Sequence, residues 1–153
     1  MTDFRVAIIM GSPNDRPKME PAAETLADFG ITTEVQVMSA HRSPAKVAEF
    51  VGGARAAGYA AIIAGAGMAA HLAGAAAAHT TLPVVGVPLS GGALNGVDAL
   101  YATVQMPKGI PVATVAVDGA VNAALLVVQM LAITDSDLAE RLTADRAQRA
   151  APA

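Results

Sequence analysis

Short, nearly continuous apolar runs recur along this chain, each broken off by small or polar residues and followed by a stretch with helical spacing. Phe4 to Met10 (FRVAIIM) stops at Gly11-Ser12 and Ala60 to Ala64 (AAIIA) at Gly65-Ala66-Gly67, while Ile31 to Val37 (ITTEVQV), β-branched and alternating as in a half-buried strand, stops at Met38-Ser39. Val84 to Val87 is bracketed by Pro83 and Pro88, and Val112 to Val115 is a fifth run. Strands that are apolar at every position have both faces covered, as in parallel sheets flanked by helices. The intervening segments supply those helices. Met19, Ala22, Ala23 and Leu26 recur at three-and-four spacing up to Gly30, and Val47, Phe50, Val51 and Ala54 share one face of a helix over 43–57 that Gly58 terminates. Further helices are predicted from about Met68 to Ala78, over 97–104 and 122–133, and, more charged, over 135–148.

Strands alternating with helices predict an α/β fold: a three-layer, flavodoxin-like, doubly wound parallel sheet of strand order 2-1-3-4-5. A chain of 153 residues is of ordinary size for a single domain over 1–153. In such sheets ligands bind beyond the carboxyl ends of the strands, where the strand order reverses. The loops after the first three strands should therefore converge although they lie far apart in sequence.

Those loops carry the titratable and anion-binding groups. In Met38-Ser39-Ala40-His41-Arg42-Ser43-Pro44, Ser43 and Pro44 have the pattern of an N-cap followed by proline at the first helical position, which leaves His41 and Arg42 on the preceding loop. A histidine there exchanges a proton near neutral pH, and an arginine grips a phosphate or carboxylate through paired hydrogen bonds. A solvated basic pair on a surface loop is the competing reading. Gly11-Ser12 opens a helix whose first amides lack intrahelical partners, an anion site to which Ser12 adds a hydroxyl. Asp15 either caps that helix or accepts hydrogen bonds from ligand hydroxyls. Gly65-Ala66-Gly67 reads as a turn that a ligand can approach closely, and His71 as a residue just inside the third helix, structural or ligand-facing.

Several classes are disfavoured. Neither a dinucleotide-binding glycine pattern nor a Walker A motif follows the first strand. Three histidines without ligand spacing and no cysteine give no metal motif. A net charge of −3 and 3% aromatic residues leave neither a basic stripe nor a stacking platform for nucleic acid. The most membrane-like stretch, Tyr59 to Ala78, is mostly Gly and Ala and carries His71, so no membrane partner is expected, and the location expected is cytoplasmic. A hydrophobic content of 54% is high for a monomer and predicts apolar faces that meet other subunits.

Longer stretches resemble the N5-carboxyaminoimidazole ribonucleotide mutases of purine biosynthesis, the class I PurE family. The resemblance rests on Ile8-Ile9-Met10-Gly11-Ser12 with Asp15, Ser39-Ala40-His41-Arg42-Ser43-Pro44, Ile62-Ile63-Ala64-Gly65-Ala66-Gly67 with Ala69-Ala70-His71-Leu72, Gly86-Val87-Pro88, and Val104-Gln105-Met106-Pro107 with Gly109-Ile110-Pro111-Val112. It implies a cofactor-free, metal-free isomerase that moves a carboxylate from the exocyclic nitrogen of an imidazole ribonucleotide to ring carbon C4, through carbon dioxide held in a closed pocket. By the same resemblance His41 is the general acid and base. Gly11, Ser12, Asp15, Ser39, Ala40 and Arg42 match ribonucleotide-binding positions, and Gly65, Ala66, Gly67 and His71 match the segment lining the carbon dioxide site. A homo-octamer is also implied, with the helix over 135–148 packing on a neighbouring subunit.

Departures cluster near the same loops. The family reads Gly-Ser-x-Ser-Asp-Trp where this chain has Asn14 and Arg16, and Gly-Ala-Gly-Gly-Ala-Ala-His-Leu-Pro-Gly where it has Met68 and Ala73. They imply a reshaped pocket rim and motivate two alternatives: direct carboxylation of aminoimidazole ribonucleotide or another mononucleotide, and a non-catalytic nucleotide-binding module. Ser90 to Asn95 is the loop expected to close the pocket.

Overall fold

Alternation along the first strand sets the architecture. In the computed structural model, which describes residues 3–151, β1 (Arg5–Met10) sends Val6, Ile8 and Met10 into one core and Ala7 and Ile9 into another, all without solvent exposure. A strand buried on both faces must be central, and β1 lies between β2 (Thr32–Val37) and β3 (Tyr59–Gly67). Outward from β3 follow β4 (Val84–Leu89) and the two-residue β5 (Ala113–Thr114), giving the all-parallel order β2-β1-β3-β4-β5 expected.

The helices form the outer layers. One core holds Met19, Ala22 and Leu26 of α1 (Arg16–Asp28), Ala123, Ala124, Val127 and Val128 of α5 (Ala120–Ala132), and Leu138 of α6 (Ser136–Ala150). The other holds Val47 and Val51 of α2 (Pro44–Gly53) with Leu72, Ala73 and Ala76 of α3 (Leu72–His79). On that side Gly86 lets α4 (Val97–Val104) approach β4, because a Cβ there would sit 2.5 Å from the Thr103 methyl carbon. Among the described residues no helix is long and apolar enough to cross a membrane.

Four expectations need correction. Gly65-Ala66-Gly67 is not a turn: β3 stays extended through Gly67, because a Cβ on Gly65 would strike the Met19 thioether at 2.3 Å and one on Gly67 would lie 3.2 Å from the Leu89 carbonyl. These glycines let neighbours approach rather than reverse the chain. α3 consequently starts later, and His71 stands at its N-cap rather than inside it. β4 runs through Pro88, which lies past the end of β5, where the missing amide leaves no ladder bond unmade. α2 also stops short, at Gly53, and the chain turns on to Gly58, whose φ of 86° is the left-handed reversal expected there.

Candidate active site

The carboxyl ends of β1, β2, β3 and β4 surround a cavity of about 580 Å³, within the usual range for a small-molecule site. Its walls include Gly11, Ser12, Asp15, Ser39, Ala40, His41, Arg42, Ala66, Gly67 and His71, so the predicted convergence of loops is observed. Gly65 is the exception. It is buried against Met19, and its carbonyl accepts from the Gly11 amide at 3.2 Å, which holds the β1 loop to β3.

After β1 the chain makes a capped turn. Ser12 Oγ accepts from the Asn14 amide at 3.2 Å, and the Asp15 carboxylate accepts from the Ser12 amide at 3.0 Å. The Asp15 amide donates to the Ser12 carbonyl at 3.0 Å, and residue 13 is proline. The anion site expected from free amides at this terminus is therefore absent, because the turn consumes its own donors. What it offers instead is the Ser12 hydroxyl hydrogen and the carboxylate of Asp15, which caps and lines the cavity at once. Burial pushes the Asp15 carboxyl above its ordinary value, against the Ser12 amide and the Lys18 charge.

After β2 the loop is braced by two serines. Ser43 Oγ donates to the Ser39 carbonyl at 3.0 Å and accepts from the Ser39 amide at 3.1 Å, and Ser39 Oγ accepts from the Arg42 amide at 3.2 Å. Ser43 occupies the N-cap position of α2, yet its hydroxyl serves the loop and not the helix. The brace leaves Ala40 and His41 at the tip, and neither amide has a partner among the described residues. Donors for a bound anion are thus found on this loop, next to the Arg42 guanidinium, which reaches the Gly11 carbonyl at 3.4 Å. The His41 ring lies 5.2 Å from that of His71, centroid to centroid, across the junction of the two loops.

A fourth wall comes from the loop after β4. Lys18 Nζ donates to both the carbonyl and the hydroxyl of Ser90, each at 2.6 Å. The Ser90 amide donates to Asp118 Oδ1 at 2.9 Å and its hydroxyl to Asp118 Oδ2, while Lys18 and Asp118 stand 3.7 Å apart. Burial raises the Asp118 carboxyl, but the Ser90 and Lys18 contacts outweigh it and hold it below the usual carboxylate value. Gly91 and Gly92 beyond this clamp line the cavity.

A family profile described as AIR carboxylase matches residues 5–151. This chain belongs to the AIR carboxylase family. It is 52% identical over 138 residues to the N5-carboxyaminoimidazole ribonucleotide mutase of Pyrococcus abyssi, covering 90% of this chain and 79% of that one. It is also 50% identical over 137 residues to the phosphoribosylaminoimidazole carboxylase of Saccharomyces cerevisiae, covering 90% of this chain but 24% of the yeast protein. The crystal structure of Treponema denticola PurE superposes with a TM-score of 0.87 at 27% identity, over 95% of this chain and 91% of that one.

In this member of the AIR carboxylase family, the residues that sequence reasoning missed are Lys18 and Asp118. They lie 72 and 28 positions from the serine they hold. No local pattern marks them. Ser90 and the glycines after it were expected only as a closing loop, and the structure places their first residues in the cavity wall itself.

Proposed function

We propose that this chain is an N5-carboxyaminoimidazole ribonucleotide mutase, an isomerase of de novo purine biosynthesis. The observation that carries the reading is the meeting of His41, Arg42, Asp15 and His71 in one cavity where the strand order reverses. Family membership narrows the chemistry to imidazole ribonucleotides. Arg42 and the Ala40 and His41 amides take the phosphate, and Ser12 and Asp15 take the ribose hydroxyls. His41 protonates the exocyclic nitrogen as its carboxylate leaves as carbon dioxide. C4 of the ring then attacks the carbon dioxide, and His41 removes the C4 proton, so one imidazole starts and ends the cycle in the same state. The wall formed by Ala66, Gly67 and His71 holds the carbon dioxide. Proximity in place of a bulk reagent supplies effective molarities on the order of 10⁵ M.

The enzyme works as one domain without a cofactor, in the cytoplasm, as a homo-oligomer for which an octamer is the expected state. Leu94, Val97, Tyr101 and Val104 support the oligomer: they form an exposed apolar stripe at three-and-four spacing along the β4 loop and α4. The outer face of α6 beyond Leu138 is a second candidate for subunit contact. The yeast relative's name favours one competing reaction, direct carboxylation of aminoimidazole ribonucleotide. Purified protein given N5-carboxyaminoimidazole ribonucleotide without added bicarbonate should form the C4-carboxylated product. Turnover only from aminoimidazole ribonucleotide with excess bicarbonate would replace the mutase reading by the carboxylase one.

A further inference from the structure

Met68 is the one residue in the cavity wall that is both large and apolar and also held in a left-handed backbone conformation. Its φ is 51°, a region that costs a side-chain-bearing residue roughly 1–2 kcal/mol. The turn that imposes this conformation is tight: the Ala70 amide donates to the Met68 carbonyl and the His71 amide to the Ala69 carbonyl, each at 2.8 Å. Glycine would sit there without strain. A strained residue at a ligand cavity calls for a compensating use.

The Met68 side chain is 61% exposed, so burial in the core does not explain it. Its contacts lie sideways. A Cβ built on Gly92 would stand 3.2 Å from Met68 Cγ and 3.3 Å from Sδ, so the thioether fills the space that a side chain at 92 would occupy. Gly92 itself has a φ of 63°, which keeps that position a glycine on backbone grounds as well. The loops after β3 and β4 are neighbours, and both line the cavity. A seam would run between them if residues 68 and 92 were both glycine.

We infer that Met68 is the seal of the active site: its thioether closes the seam between the β3 and β4 loops, so that carbon dioxide released inside the cavity is recaptured rather than lost. Methionine suits the task, because three rotatable bonds and a polarizable sulfur let it pack closely and still yield when substrate enters. The Lys18–Ser90–Asp118 clamp keeps the other lip of the seam in place. Met68 touches no reacting bond in this scheme. It retains an intermediate.

The inference rests on the mutase reading and is tested by how the intermediate partitions. Wild-type enzyme, Met68→Gly, Met68→Ala and Met68→Leu are given N5-carboxyaminoimidazole ribonucleotide carrying a 13C carboxylate in excess unlabelled bicarbonate. Aminoimidazole ribonucleotide release and label retention at C4 are then measured together. Met68→Gly and Met68→Ala should raise the ratio of released aminoimidazole ribonucleotide to product by on the order of tenfold, a differential barrier of about 1.4 kcal/mol. Met68→Leu, which keeps the bulk, should stay near wild type. The glycine variant relieves strain, and the alanine variant keeps it, so leakage in both separates sealing from backbone stability. Unchanged partition in both small variants while wild type turns over overturns the seal alone. Wild-type enzyme that forms no product from this substrate overturns the mutase reading and the seal with it.

Discussion

The two ends of the sheet carry similar side chains put to opposite use. Toward the amino end, Glu34 accepts from the Tyr59 hydroxyl, the Arg5 guanidinium and the Gln36 amide, the last at 2.9 Å. Arg5 also donates to the Ala57 carbonyl at 3.3 Å and lies 4.3 Å from the centre of the Tyr59 ring. This network is complete: charge, hydroxyl and aromatic face all answer one another. At the carboxyl end, Arg42 makes one contact of 3.4 Å from its side chain, and His41 has a ring neighbour but no hydrogen bond among the described residues. Groups that the fold leaves unmatched in a cavity are free to be matched by a ligand. Groups matched to one another and away from the cavity, as at the amino end, stabilise the fold.

The sharpest test of that contrast is His41→Asn, which should lower turnover by roughly 10² or more, the usual cost of losing a general acid and base. Its thermal unfolding should barely move, because an exposed loop side chain contributes within about 0.5 kcal/mol. A variant that keeps most of its rate would remove His41 from the chemistry. Arg42→Ala comes next. A charge-assisted contact to phosphate is worth about 1.5–3 kcal/mol, so KM should rise about tenfold or more, while kcat changes less. Raising the ionic strength should weaken wild-type binding and leave the variant's less affected. Equal loss in kcat and kcat/KM would mean that Arg42 acts in the transition state and not in ground-state binding.

Strand order and the convergence of loops were legible in the sequence because both follow from period. Val6 and Ala7 face different cores for the same reason that an apolar run implies two covered faces. Glycine was the source of error. Gly65 and Gly67 carry no sign that distinguishes a turn from a close approach, and only Met19 and Leu89, brought in by tertiary packing, decide it. Asp15 read equally as helix cap or ligand group; its carboxylate braces the turn ahead of α1 through the Ser12 amide, makes no cap bond to α1 itself, and stays on the cavity wall. The clamp on Ser90 was out of reach, since nothing near Lys18 or Asp118 in sequence refers to residue 90.

The amino-end network supplies the smallest effect and the cleanest control. The Tyr59 hydroxyl, then the Gln36 amide, hold the Glu34 carboxyl below its ordinary value, with Arg5 adding charge. A depressed acid stabilises the fold above its unfolded value of about 4.3, and the contribution is lost as pH falls through the lower folded value. Tyr59 behaves in the opposite sense. Burial first, and the bond to Glu34 second, push its hydroxyl from 10.0 up to about 12. Its contribution is whole below pH 10 and lost between there and about 12. Glu34→Gln keeps one acceptor but turns a donor toward Arg5 or Tyr59, and because the pair is partly exposed the cost should be about 1 kcal/mol, or roughly 2–4 °C in Tm. Urea unfolding across pH should show a flatter acid limb in this variant, and Tyr59→Phe should flatten the alkaline limb. Neither substitution should alter kcat at neutral pH. If Glu34→Gln slowed turnover as much as His41→Asn, the division between a stabilising end and a reacting end would fail, and the two clusters would have to be coupled through β1.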